Sequence, residues 1–115
     1  MIHLKRFNES KEDYYKEAGD EWADFVGINI SDKIFTKIES LLDEDKYTLK
    51  LSDCANDDGS EFYGIDILDE RNNIFVEIFQ ADDDWFWVAV LGRHDYYKCD
   101  QDTGLIMLLK DKGII

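Results

Sequence analysis

Ile74-Phe75-Val76-Glu77-Ile78-Phe79-Gln80 and Trp85-Phe86-Trp87-Val88-Ala89-Val90-Leu91, joined by Ala81-Asp82-Asp83-Asp84, decide the fold. Each run is rich in β-branched and aromatic residues, is short enough for a strand and ends in polar turn residues. So short a connection demands an antiparallel hairpin, because a parallel return needs a crossover of a dozen or more residues. Within the first run Ile74, Val76 and Ile78 take one side of the strand, and Phe75, Glu77 and Phe79 take the other. The aliphatic side is expected to receive helices and to leave some aromatics nearer solvent.

Upstream, the loop Asp69-Glu70-Arg71-Asn72-Asn73 leads back to a strand at Glu61 to Leu68. Before that, Tyr47, Leu49 and Leu51 alternate with Thr48, Lys50 and Ser52, the period of a half-buried strand. The sum is an antiparallel meander of about four strands, with room for a short edge at Tyr96 to Lys98.

Further upstream the period is helical. Between Glu9 and Val26, residues Tyr14, Tyr15, Ala18, Trp22, Phe25 and Val26 gather on an arc of about 120° at about 100° per residue. Glu9, Asp13, Glu17, Asp20, Glu21 and Asp24 fall on the opposite arc. Gly19 weakens this helix, and an alternative makes Tyr14 to Glu17 a short strand with only Asp20 to Val26 helical. Gly27 gives a stop, and Ser31 with Asp32 starts a second helix striped by Ile34, Phe35, Ile38, Leu41 and Leu42. At the other end, Asp100 is an N-cap candidate for a helix carrying Leu105 to Leu109, which Gly113 terminates. The expectation is one α+β domain over residues 1–115, with two N-terminal helices, the meander, and a C-terminal helix packed on one sheet face.

Thirteen Lys and Arg against 27 Asp and Glu give a formal charge of −14. That excess excludes a direct grip on nucleic acid or an anionic membrane, both of which repel it. At 44% hydrophobic and 14% aromatic residues the chain is expected to fold rather than stay disordered. Cys54 and Cys99 are too few for a disulfide framework, and the N-terminal Met-Ile-His-Leu-Lys-Arg-Phe has no signal-peptide character. A cytoplasmic chain with reduced thiols is the expectation.

Motifs for catalysis are missing. Asp53 to Glu61 collects oxygen ligands around Gly59, but in EF-hand register Cys54 takes the first ligand position and Ile65 the twelfth. Asp82, Asp83 and Asp84 lack a histidine to complete a transition-metal set. His94 and Cys99 form a dyad only if both face one cleft, in a chain with little positive charge to activate a thiol. No phosphate-cradling glycine loop occurs. The reading is therefore a non-enzyme without metal or cofactor.

What remains is the acid itself. Rows of carboxylates at helix or strand spacing present a phosphate-like field that attracts a basic groove and accelerates encounter. The expected partner-binding set is Glu9, Asp13, Glu17, Asp20, Glu21, Asp24, Asp57, Asp58, Asp82, Asp83, Asp84 and Trp85. The expected partner is a basic protein, nucleic-acid-binding or a nuclease, with the chain acting as a phage-type anti-defence inhibitor or a toxin immunity protein. The alternative is a structural or assembly accessory protein that oligomerises through a sheet edge and an aromatic surface.

Overall fold

The computed structural model describes residues 14–19, 25–81, 85–90 and 95–115. They form β1 (Tyr15–Glu17), α1 (Asp32–Leu41), β2 (Thr48–Ala55), β3 (Glu61–Leu68), β4 (Ile74–Gln80), β5 (Trp85–Val90), β6 (Asp95–Asp100) and α2 (Gln101–Asp111). All six strands join one antiparallel sheet in the order β1-β6-β5-β4-β3-β2.

Two N-terminal helices and about four strands are therefore a misreading. A helix from Glu9 to Val26 is ruled out because Tyr15–Glu17 is extended and pairs with β6, Tyr15 opposite Cys99 and Glu17 opposite Tyr97. Hydrogen bonds from Asp100 N–H to the Tyr14 carbonyl and from Ala18 N–H to the Tyr96 carbonyl extend that pairing at both ends. Gly19, two residues past the end of β1, adopts φ +57°, a left-handed conformation that a helix running from Glu9 to Val26 would not contain. Tertiary pairing has overridden the helical spacing of Tyr14, Tyr15 and Ala18, as it can whenever propensity is weak. The strand alternative is the one observed at this point, whereas residues 20–24 of its helical part lie outside the described residues. Tyr96 to Lys98 belongs to a full strand that is interior, not an edge, because β1 covers it.

Both helices lie on one side of the sheet. Ser31 caps α1, its hydroxyl accepting the Ile34 N–H at 3.3 Å. Ile34, Ile38 and Leu42, at helical spacing, press onto Ile65, Ile67, Val76 and Ile78. Alongside them Leu105, Leu108 and Leu109 of α2 meet the side of the sheet that carries Phe86, Val88, Val90, Tyr97 and Cys99. α2 stops in a Schellman turn: Gly113 at φ +74° donates to the Lys110 carbonyl, Ile114 donates to the Leu109 carbonyl, and the Ile114 side chain is buried.

The other side of the sheet is not the open aromatic surface the alternation suggests. Phe79 (8% exposed) and Trp87 (5% exposed) are buried there with Phe62 and Ala18. Phe25 closes this second core, stacking on Trp87 at 5.3 Å between ring centroids and tilting on Phe79 at 5.6 Å.

The chain reaches its two sides by passing through the sheet. β3 and β4 pair from Ile65 opposite Ile78 to Leu68 opposite Ile74, and beyond Ile65 they part. Residues 28–31 fill the gap. Ile28 N–H bonds to the Gln80 carbonyl, Ile30 N–H to the Tyr63 carbonyl, Tyr63 N–H to Asn29 Oδ1 and Ser31 N–H to Gln80 Oε1. Asn56, in the β2–β3 turn, braces the entrance: its Oδ1 accepts Gly27 N–H at 2.8 Å and its Nδ2 donates to the Gly27 carbonyl at 3.0 Å. Gly27 must be glycine, since a Cβ there would stand 2.3 Å from the Phe62 ring.

Asn56→Ala removes both bonds and strands two part-buried main-chain groups. It should lower unfolding free energy by about 2 kcal/mol in urea titration. A loss below about 0.5 kcal/mol would show that the brace contributes nothing.

Candidate functional site

Where the topology carries carboxylates follows from strand direction. The β2–β3 turn, the end of β4, the start of β5 and the starts of both helices all lie at one end of the sheet, because consecutive strands alternate in direction. At that end Asp53, Asp57, Asp58 and Glu61 are exposed around the β2–β3 turn, and among the described residues no cation comes within 4.0 Å of them.

The turn is built to hold its acids still. Asp58 Oδ1 accepts the Ser60 N–H at 2.9 Å and the Ser60 hydroxyl at 2.6 Å. Those two bonds, the hydroxyl first, lower the Asp58 pKa below the ordinary carboxylate value. Asn56 Nδ2 donates to Ser60 Oγ at 3.0 Å as well as to Gly27, so the turn is anchored to the segment threaded through the sheet. These oxygens serve the chain's own donors and do not converge on a common point. Among the described residues no group of three or more His, Cys, Asp or Glu is arranged to hold a metal ion.

The expected partner-binding residues are only partly brought together. Asp57 and Asp58 sit side by side in the turn. Trp85 begins β5 at the same end of the sheet, half-buried, with Lys98 Nζ 4.4 Å from its ring centroid. Glu17 is exposed on β1, at the opposite edge, five strand spacings or about 24 Å away. Glu9, Asp13, Asp20, Glu21, Asp24, Asp82, Asp83 and Asp84 lie outside the described residues. The aromatic run is mostly core: Phe86, Trp87 and Tyr97 are buried, and Tyr96 is the exposed member.

Sequence reading missed a second acidic feature, on the side of the sheet away from the helices. Register sets Asp66 of β3 directly opposite Glu77 of β4, with Lys50 of β2 on the other flank of Asp66. Asp66 Oδ1 is buried and makes no hydrogen bond. Burial raises both carboxyl pKa values; a Ser52 hydrogen bond and the Lys50 charge oppose it at Asp66, and the Asp66 charge adds to it at Glu77. The signal was present, an acid between two aliphatics in Ile65-Asp66-Ile67 and again in Val76-Glu77-Ile78, but it becomes a pair only once register is known.

Thiol chemistry is closed at Cys99, which is buried in the helix-side core and whose pKa burial drives far up. His94 lies outside the described residues. Among those residues no helix is long and apolar enough to cross a membrane. Comparison with family models, curated proteins and solved structures found no match to the chain.

Two measurements follow from these environments. Because the native Asp66 and Glu77 hold protons at higher pH than the unfolded chain does, their contribution to stability falls as pH rises through the window above the ordinary carboxylate range. Urea denaturation should therefore show Glu77→Gln more stable than the parent at pH 7, with the difference shrinking by pH 4.5. Thiol titration of the native protein should label half-buried Cys54 first, and Cys99 only at the rate of unfolding; equal fast labelling of both would contradict its burial.

Proposed function

We propose that this chain is a small acidic binding protein that docks on the basic, nucleic-acid-facing surface of a partner protein. The observation that supports it is the β2–β3 turn: exposed carboxylates, unpaired with cations among the described residues, on a loop whose shape is fixed by Asn56 and Ser60. A preorganised anionic surface loses little entropy on meeting a cationic groove and speeds encounter at low salt. The formal charge of −14 sets the sign of the whole molecule's field in the same direction. Inhibition of a nucleic-acid enzyme, as a phage anti-defence protein or a nuclease-toxin immunity protein does it, is the activity that fits such a surface.

Assembly through an aromatic surface has less to stand on, since Phe86, Trp87 and Tyr97 are used inside the fold. Immobilised protein exposed to lysate should retain nucleic-acid-binding proteins of high pI, and both 0.5 M salt and a competing duplex oligonucleotide should release them. Retention indifferent to salt, or confined to neutral and acidic proteins, would overturn the proposal.

A further inference from the structure

β2 ends the sheet, and among the described residues no strand lies on its outer side. It pairs with β3 alone, through eight consecutive register pairs from Thr48 opposite Leu68 to Ala55 opposite Glu61, without a bulge. The phase of the ladder shows which main-chain groups are left over. Asn56 N–H bonds to the Ser60 carbonyl at 2.8 Å, and alternation from there turns the main-chain groups of Cys54, Ser52 and Lys50 toward β3. Those of Leu49, Leu51 and Asp53 point outward. Tyr63, opposite Asp53, confirms the phase, because its own N–H and C=O are spent on Asn29 and Ile30 at the far side of β3. Among the described residues nothing hydrogen-bonds the outward groups of β2. The edge is about 26 Å long at about 3.3 Å per residue, whereas the opposite edge, β1, has three residues.

The side chains along this edge specify an occupant. Leu51 is 56% exposed and Tyr63, its diagonal neighbour across the pair, is 49% exposed, so an apolar contact lies beside the free main chain. Asp53 follows Leu51 on the same side of the strand. Asp43, Glu44 and Asp45 precede the strand, and Asp57 and Asp58 lie beyond its end, all exposed. Acid at both ends disfavours a second copy: parallel or antiparallel, it would lay carboxylates against carboxylates. Lys50 projects on the opposite side of the strand from Leu51 and leaves that apolar and acidic row intact.

We infer that the outer edge of β2 accepts, as a seventh strand, an extended segment of the partner in which an apolar and a cationic residue stand two apart, on the same side of the strand. The inference rests on the acidic-binding reading and deepens it. Main-chain bonds to Leu49, Leu51 and Asp53 fix the register, an apolar side chain covers Leu51, and a guanidinium or ammonium group meets Asp53. The acid turn supplies steering, and the edge supplies directional bonds that charge alone lacks.

The probe is a capped octapeptide repeating valine-valine-arginine-arginine, which alternates valine and arginine along each side of the strand, with a counterpart N-methylated at every residue so that neither edge can donate. The intact peptide should slow amide exchange at Leu49, Leu51 and Asp53, bind about tenfold or more tightly than the methylated one, and bind Asp53→Asn several-fold more weakly. Equal affinity for both peptides, lost in 0.5 M salt, would overturn strand addition while leaving acidic docking in place. Failure of both peptides to bind would also overturn strand addition, and the salt-dependent capture above then decides acidic docking separately. Protection of the β2 amides that grows with protein concentration, in the absence of peptide, would make a second copy the occupant and overturn the inference.

Discussion

The structure depends on a length of main chain wedged between two strands that would otherwise close on each other. Residues 28–31 bond to Gln80 on one side and Tyr63 on the other, so each strand edge keeps a partner past the point where β3 and β4 part. An unfilled gap would expose a row of polar groups at the margin of two apolar cores, a costly arrangement that burial of nearby side chains does not relieve. Filling it with the segment that precedes α1 solves a second problem at once: the chain crosses from the side of the sheet holding Phe25 to the side holding Ile30 and α1. Gly27 permits the crossing because the Phe62 ring occupies the space its side chain would need.

Covering both sides of the sheet determines where binding chemistry can reside. The helices take one side and the Phe25, Phe62, Phe79 and Trp87 cluster occupies the other, so the central strands are covered on both sides while Leu51 and Tyr63, near the β2 edge, stay exposed. Charge accordingly collects on turns, helix surfaces and edges. The β2–β3 turn is unusual among these places in being tied to the threaded segment through Asn56, which makes its carboxylates part of the rigid framework. Asp66 and Glu77 are the counterexample: acids placed inside a sheet, where desolvation opposes their charge.

Much of this was legible in the sequence, and the exceptions share a cause. Ser31 as a cap, the period-2 run after Tyr47, the two runs around Ala81 and the helix ended by Gly113 are local signals, and the structure realises each where the residues put it. Tyr14 to Ala18 misled because three apolar residues at helical offsets fit one side of a helix and also an edge strand, and only the presence of β6 beside them decides between the two. Phe79 and Trp87 misled in the opposite way: alternation correctly assigned them to one side of the sheet, but nothing local announced that Phe25, more than fifty residues earlier than Phe79, would lie on top of them. The candidate acids were legible as a composition and not as a surface, which is why Glu17 was grouped with Asp57 and Asp58 although a whole sheet separates them.

An acidic surface by itself cannot account for tight and selective binding. Exposed carboxylates gain only modest energy from a cation across water, and salt screens most of it within about 8 Å. What they change most is the rate of encounter and the rejection of anionic competitors. Selective recognition needs contacts with direction and a place from which water is expelled. On the proposed reading the two requirements meet at the β2 corner of the sheet, where exposed Leu51 and Tyr63 stand beside main-chain groups that nothing among the described residues bonds, within a few residues of the braced acids. The same charges that draw a cationic strand toward this edge also keep other copies of the chain away from it, so a strand edge that would ordinarily invite self-association can remain open in solution.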